Sequence, residues 1–150
     1  MVDLMRLNIG FVSTRFAGID GVSLESSKWA RVLEDEGHAC FWFAGELAKS
    51  GNISYQARQA NFKDDQNQWI NSQLFRTHKK SLQLARIICN YKSTIASRLK
   101  LFIDMYQLDL LVVQNALAIP MHIPLGLALT DVIASRKFPG KPEASVPLVF

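Results

Sequence analysis

Residues Leu7 to Gly45 read as strand, glycine turn, helix and strand, and that alternation commits the chain to a fold built on parallel strands. "LNIGFVS", Leu7 to Ser13, is almost continuously apolar and has no helical period, the pattern of a short strand covered on both faces. Val22, Ser26, Trp29 and Leu33 then recur at spacings of four, three and four. They form one stripe of a helix that stops at Gly37, a residue suited to the left-handed position just past a helix end. "HACFWFAG", His38 to Gly45, is a second strand, dense in aromatic residues and closed by glycine. The three elements make one βαβ unit, whose crossover is right-handed.

The rest of the chain continues the alternation. Ala48 to Gln68 is polar and reads as a long connection or an excursion over the surface. Leu84, Ile88, Tyr91, Ile95, Leu99, Phe102 and Tyr106 then follow one another at spacings of three or four. This stripe extends upstream towards Trp69 and Leu74, which predicts one long helix or two with a break near Thr77. "LDLLVVQN", Leu108 to Asn115, is a third buried strand. Pro120 and Pro124 bracket a turn, and Pro124 suits the first turn of a helix running to about Ser135, where its missing N–H is not needed. A charged, proline-rich loop from Arg136 to Ser145 leads into "VPLVF", a fourth strand, inside which the chain stops. A length of 150 residues suits one domain, and a domain of that size buries roughly 68–70% of its unfolded surface. With 49% apolar and 20% charged residues and no repeats, disordered and fibrous classes are excluded. The expected fold class is α/β, a Rossmann-like parallel sheet with helices on both faces.

No run approaches the length of a membrane span, and no basic segment followed by an apolar leader opens the chain. Cys40 and Cys89 lie in apolar patterns without metal-ligand or redox spacing, so both are expected to be reduced, buried thiols of a cytoplasmic protein.

Ligands of such sheets bind beyond the carboxyl ends of the strands. Three segments lie there: the loop after Thr14, the loop after Gly45 and the segment after Asn115. The first is "RFAGIDGVSLES", Arg15 to Ser26. Gly18 and Gly21 permit positive φ and close backbone approach, and with Val22 they open a helix whose free N–H groups and positive dipole end suit a phosphate or carboxylate. A tight turn with no ligand fits the same spacing. Asp20 and Glu25 either contact a hydroxylated ligand or cap the helix, and capping is favoured. Asn115 and His122 lie at the third strand's carboxyl end, His122 between the two prolines, as cleft candidates. His38 caps the first helix or packs at the start of the second strand, and His78 lies exposed in the basic helix.

Named motifs are absent. The first loop lacks the leading glycine pair of G-x-G-x-x-G, Lys28 is too far along the helix for a P-loop, and no H-E-x-x-H, C-x-x-C or G-x-S-x-G occurs. Metal and triad chemistry therefore have no support, and no metal cofactor is expected. Glu46 stands where a dinucleotide-binding domain holds a ribose, but the loop before it is not the fingerprint loop.

The net charge is +4, and between Asp65 and Asp104 seven basic residues occur with no acid among them. The run is either a solvated helix face or a surface for an anionic membrane or acidic protein, with Arg76, Lys79, Lys80 and Arg86 as its candidates. No nucleic-acid partner is expected.

"IGFVSTRFAGIDGVSLESSKWARVLEDEGHACFWFAGEL" resembles the N-terminal start of family 4 retaining glycosyltransferases: a first strand, a glycine-containing loop, a helix ending L-x-x-x-G-H at Leu33 to His38, then an aromatic strand ending near "AGE". "DLLVVQNALAIPMHIPLGLALTDVIA" is similar to a segment of one subgroup of these enzymes, and the resemblance spans residues 6 to about 135. It implies the N-terminal, acceptor-side half of a GT-B fold whose C-terminal domain binds most of a nucleotide-sugar, with Gly18, Gly21 and Val22 approaching the donor phosphates. The strand at "VPLVF" would run on into a histidine-bearing loop, and the acidic donor-site motif of the second half does not occur here. Such a half is expected to be inactive alone. A helix terminus offers an anion about 0.3–1 kcal/mol, whereas a millimolar site needs about 4 kcal/mol. The competing expectation is a non-catalytic α/β module that docks through its basic helix.

Overall fold

A computed structural model describes residues 5–48, 53–76 and 81–135, together with the backbone of 148–149. In chain order its elements are β1 (Asn8–Val12), β2 (Arg15–Phe16), α1 (Gly21–Asp35), β3 (Ala39–Ala44), β4 (Glu46–Leu47), β5 (Ser54–Gln56), a 3₁₀ turn (Arg58–Ala60), α2 (Asp65–Arg76), α3 (Leu82–Tyr106), β6 (Leu110–Val113), α4 (Ile123–Ser135) and β7 (Leu148–Val149).

Five strands form one parallel sheet in the spatial order β5-β3-β1-β6-β7. Counted along the chain this is third, second, first, fourth, fifth, the Rossmann order. β2 and β4 pair separately, Arg15 opposite Glu46 and Phe16 opposite Leu47. Alternate residues of the central strands face opposite layers. Ile9, Phe11, Cys40, Trp42 and Val112 pack with Ala30 and Phe16 under α1. Val12, Phe43, Leu111 and Val113 pack under α3 and α4, against Ile95, Leu99, Phe102, Leu125 and Leu129. Both faces are thus covered, as a parallel sheet requires.

Local signals were obeyed at the helix ends. Gly37 takes φ +92°, its N–H bonds Glu34 O at 3.0 Å and the His38 N–H bonds Leu33 O at 3.0 Å, which is the paired closure of a Schellman end. His38 packs where β1 begins, its Nδ1 accepting from Leu7 N at 3.2 Å. Pro124 lies in the first turn of α4.

Three expectations need correction, and one open alternative is decided. The long polar connection contains a strand: β5 pairs Ser54–Gln56 with Trp42–Ala44, making "VPLVF" the fifth strand of the sheet, represented by Leu148 and Val149. The apolar stripe, expected as one long helix or two with a break near Thr77, is two, α2 and α3, with Ser81 capping the second by accepting from Leu84 N at 3.1 Å. The expected face of α1 holds at Ser26, which is buried, and at Val22 and Leu33, which pack against the core, but not at Trp29: Ser23 and Ala30 are buried instead, while Trp29 is 36% exposed and donates its Nε1–H to Glu25 Oε1. The small side chains let the helix settle onto the stacked rings of Phe11 and Trp42, which already fill that layer. Cys40 is buried as expected, but Cys89 is exposed, and neither forms a disulfide.

Among the described residues no helix is long and apolar enough to cross a membrane. The loop from Arg136 to Ser145, His78, and the basic pair Lys79 and Lys80 lie outside the described residues.

Candidate functional site

In the Rossmann order the connections diverge on either side of β1, and the crevice outside the carboxyl ends of β1 and β6 is the place a ligand would occupy. A crevice of about 220 Å³ lies here, lined by Ser13, Thr14, Arg15, Asp20, Val22, Phe62, Asn115 and Met121. Ser13 and Thr14 are the first residues beyond β1, and Asn115 is the second beyond β6. Asn115 adopts φ +61°, the left-handed region, which its short amide tolerates better than most side chains do.

Asp20 caps α1. Its Oδ1 accepts from Ser23 N at 2.9 Å, and its Oδ2 accepts from Ser23 Oγ at 2.9 Å and from Arg15 Nη1 at 3.2 Å. Partial burial pushes its carboxyl upward, but the Ser23 amide and hydroxyl, followed by the Arg15 charge, outweigh that and hold it below the usual carboxylate range. Arg15 also donates Nε–H to Glu46 Oε2 at 3.1 Å, an ion pair aligned by the β2–β4 register. The positive end of α1 therefore already meets an anion of this chain. Among the described residues the amides of Gly21 and Val22 meet no acceptor and stay open as donors of its first turn.

The two glycines of this loop differ. Gly18 uses its freedom, at φ +93°, beside the Arg15 guanidinium. Gly21 has helical backbone, and a Cβ there would meet nothing within 4 Å. Glu25 is not in the crevice; it lies along the outer side of α1 with Lys28, 3.7 Å away, and Trp29.

His122 is only 2% exposed and caps α4. Its Nδ1 accepts from Leu125 N at 3.1 Å, so the neutral ring carries its proton on Nε2, which donates to Gln59 O at 2.6 Å. Burial pushes this imidazole down to about 4, against the opposing pull of the Gln59 carbonyl. A histidine with both nitrogens engaged and its charge suppressed is a clasp between the 58–60 turn and α4. The sign of the linkage follows. The folded value lies below the ordinary 6.5, so the unfolded chain takes the proton first, and stability present above pH 6.5 is lost as the pH falls towards 4. Urea denaturation is expected to show a loss of about 2 kcal/mol between pH 7 and pH 5 from this group. His122→Asn, which keeps a capping side chain, should flatten that interval; an unchanged pH slope in the variant would remove His122 as its source.

The ring of His122 stacks on Tyr91, 5.9 Å between centroids, and the Tyr91 hydroxyl donates to Asp64 Oδ2 at 2.5 Å. Burial, then the Asp64 contact, raise the Tyr91 hydroxyl far above its ordinary range, so it is always the donor. Asn67 Nδ2 donates to Phe62 O and to Met121 O, each at 3.0 Å, and Asn71 Nδ2 to Met121 O at 3.0 Å. This network fixes the two apolar lips of the crevice, Phe62 and Met121, from behind.

Of the residues singled out in sequence, Asp20, Val22 and Asn115 share the crevice, while Gly18, Gly21, Glu25 and His122 stand outside its lining. Ser13, Thr14 and Arg15 were readable from their place at a strand's carboxyl end; Phe62 and Met121 lie in the other two segments expected there, but nothing in their local sequence singles them out within those segments. The basic run is partly neutralised in space, because Lys92 pairs with Asp131 of α4 at 2.7 Å, whereas Arg76, Arg86, Arg98 and Lys100 are exposed. Among the described residues no cluster of three or more His, Cys, Asp or Glu could hold a metal ion. The crevice thus offers hydroxyls, an amide, open backbone donors and a paired carboxylate, opposite an aromatic ring and a thioether. No known protein family, curated protein or solved structure matches this chain.

Proposed function

We propose that the chain is the acceptor-side half of a retaining, nucleotide-sugar-dependent glycosyltransferase that works in the cytoplasm, and that the β1–β6 crevice holds a hydroxyl-bearing acceptor. The observation that supports this reading best is the make-up of the crevice. Thr14, Asn115 and Asp20 present acceptors and donors of the kind that pair with hydroxyls, while Phe62 and Met121 offer an apolar cover for the C–H face of a sugar ring. Asp20 on the end of α1 favours a neutral, hydroxylated guest beside it. Donor phosphates would meet the Gly21 and Val22 amides from the far side, with a second Rossmann domain supplying most of the nucleotide contacts.

Titrating the ¹⁵N-labelled chain with methyl α-glucoside and with UDP-glucose tests this. The Thr14, Val22 and Asn115 amides are expected to shift with glycoside. Asn115→Gly, which keeps the positive φ and removes the amide, should weaken binding about threefold to tenfold, the worth of one hydrogen bond. Silence at these amides up to tens of millimolar glycoside would sink the reading. A second reading, the non-catalytic module on an anionic membrane, draws on Phe75 and Leu82, 64% and 72% exposed next to Arg76 and near Arg86. In that case the glycoside titration is silent and the chain co-floats with phosphatidylglycerol vesicles until Arg86 is reversed in charge.

A further inference from the structure

A second cleft, of about 270 Å³, opens beyond the carboxyl end of β3. Gly45 lies in it, and across it are two cations, Arg58 of the 3₁₀ turn and Lys63. Two carboxylates also line it, and both are engaged within the chain. Glu46 accepts from Arg15, and Asp64 accepts from the Tyr91 hydroxyl and from the amides of Gln66 and Asn67 at 3.1 and 3.4 Å. Among the described residues neither Arg58 nor Lys63 meets a carboxylate. They are thus cations of this cleft without an ion-pair partner among the described residues, in a lining that they share with the Asp64 carboxylate.

The cleft is held in shape. Asn61 N donates to Arg58 O at 3.0 Å, Lys63 N donates to Asn61 Oδ1 at 3.0 Å, and Gln56 Nε2 ties back to Gly45 O at 3.3 Å. It also adjoins the first crevice. Phe62, a lip of the crevice, lies between two residues of this cleft, Asn61 and Lys63, and the Lys63 Nζ stands 5.8 Å from the Phe62 ring centre. The Arg15–Glu46 ion pair joins the two from the other side, Arg15 lining one and Glu46 the other.

We infer that Arg58 and Lys63 form an anion subsite, and that the chain takes a hydroxylated ligand carrying an oxyanion, phosphate or carboxylate, that spans both clefts. The hydroxyl part rests on the function proposed above; the anion part stands on this cleft alone. Hydrogen bonds to charged groups are stronger than neutral ones, and a guanidinium can hold two oxygens at once.

Calorimetry at low salt with glucose, glucose 6-phosphate, glucuronate and inorganic phosphate separates the contributions. Glucose 6-phosphate or glucuronate is expected to bind about tenfold more tightly than glucose, and whichever is favoured identifies the oxyanion. Arg58→Gln and Lys63→Gln should each remove most of that gain and leave glucose unaffected. Both side chains are exposed, so the unfolding midpoint is expected to stay unchanged in these variants. Equal affinity for all three sugars, or a gain retained in the double variant, would overturn the subsite. Binding of phosphate and both charged sugars with no response to glucose would keep the subsite and remove the hydroxyl reading of the crevice. A response to glucose without any benefit from charge does the reverse.

Discussion

Gly45→Ala is expected to lower the midpoint of thermal unfolding by about 6–12 °C, the shift that corresponds to roughly 3 kcal/mol in a chain of this length. An added Cβ would lie 1.9 Å from Asn61 N, 2.3 Å from Asn61 Cα and 2.5 Å from the Ala60 carbonyl carbon. All three are backbone atoms, so no rotamer change relieves the clash. The 57–61 segment must lift off the end of β3, and with it go the Ala57 N–H bond to Ala44 O at 2.9 Å and the hold of Gln59 on His122. Phe62 moves with that segment, so ligand binding in both clefts should fall together with stability. A midpoint within about 2 °C of the parent, less than 1 kcal/mol by the same conversion, would show that the segment is not seated on Gly45.

Phe102→Ala is expected to cost about 3–5 kcal/mol in urea denaturation, against a total stability of about 5–15 kcal/mol for a domain. Phe102 is fully buried, with ring neighbours Phe43 at 5.4 Å, Tyr106 at 5.5 Å and Tyr55 at 6.2 Å between centroids. It sits below the middle of β1, where a Cβ on Gly10 would come within 3.0 Å of its Cε1. The aromatic ring and the missing side chain are two halves of one packing solution. Gly10→Ala, disfavoured alone, should cost less in the Phe102→Ala background than in the parent, because part of the cavity then receives the methyl group. The relief is incomplete, since Leu108 Cδ1 lies closer still, at 2.5 Å. A loss below about 1 kcal/mol for Phe102→Ala would contradict its place in the core.

Both changes act on elements that differ in how plainly the sequence announces them. β1, α1 and β3 are carried by local chemistry: buried strands without helical period, an Asx cap, and a glycine in the left-handed position past the helix. β5 is three residues long and only half covered, at the edge of the sheet, and its polar side chains resemble those of the surrounding loop. Its strand character comes from pairing with β3, a partner that no local window contains. Trp29 departs from the expected face of α1 for a related reason. Counting large apolar residues favours Trp29, but the space above the sheet is already filled by Phe11 and Trp42, so the helix presents its small residues instead.

The crevice shows the same division. Asp20, Val22 and Asn115 follow directly from the rule that ligands meet the ends of parallel strands, and the fold brings them together. Histidine 122 drew attention by its chemistry, yet burial and two hydrogen bonds give it a structural task. Arg58 and Lys63 drew none, because in a polar stretch two cations are unremarkable until the fold sets them around one cleft without an ion-pair partner among the described residues.

The position of β1 in the middle of the sheet also sets a clock. One edge of β1 pairs with β3, about 30 residues on, but the other pairs Ile9–Val12 with Leu110–Val113, about 100 residues further along the chain. At ribosomal speeds of about 5–20 residues per second, that second edge stays open for roughly 5–20 s after β1 is made. Throughout that interval an apolar strand with unpaired N–H and C=O groups waits for its neighbour, and Asn8 waits for the Asp109 carboxylate that will accept its N–H. The first of these five strands to leave the ribosome is among the last to be completed.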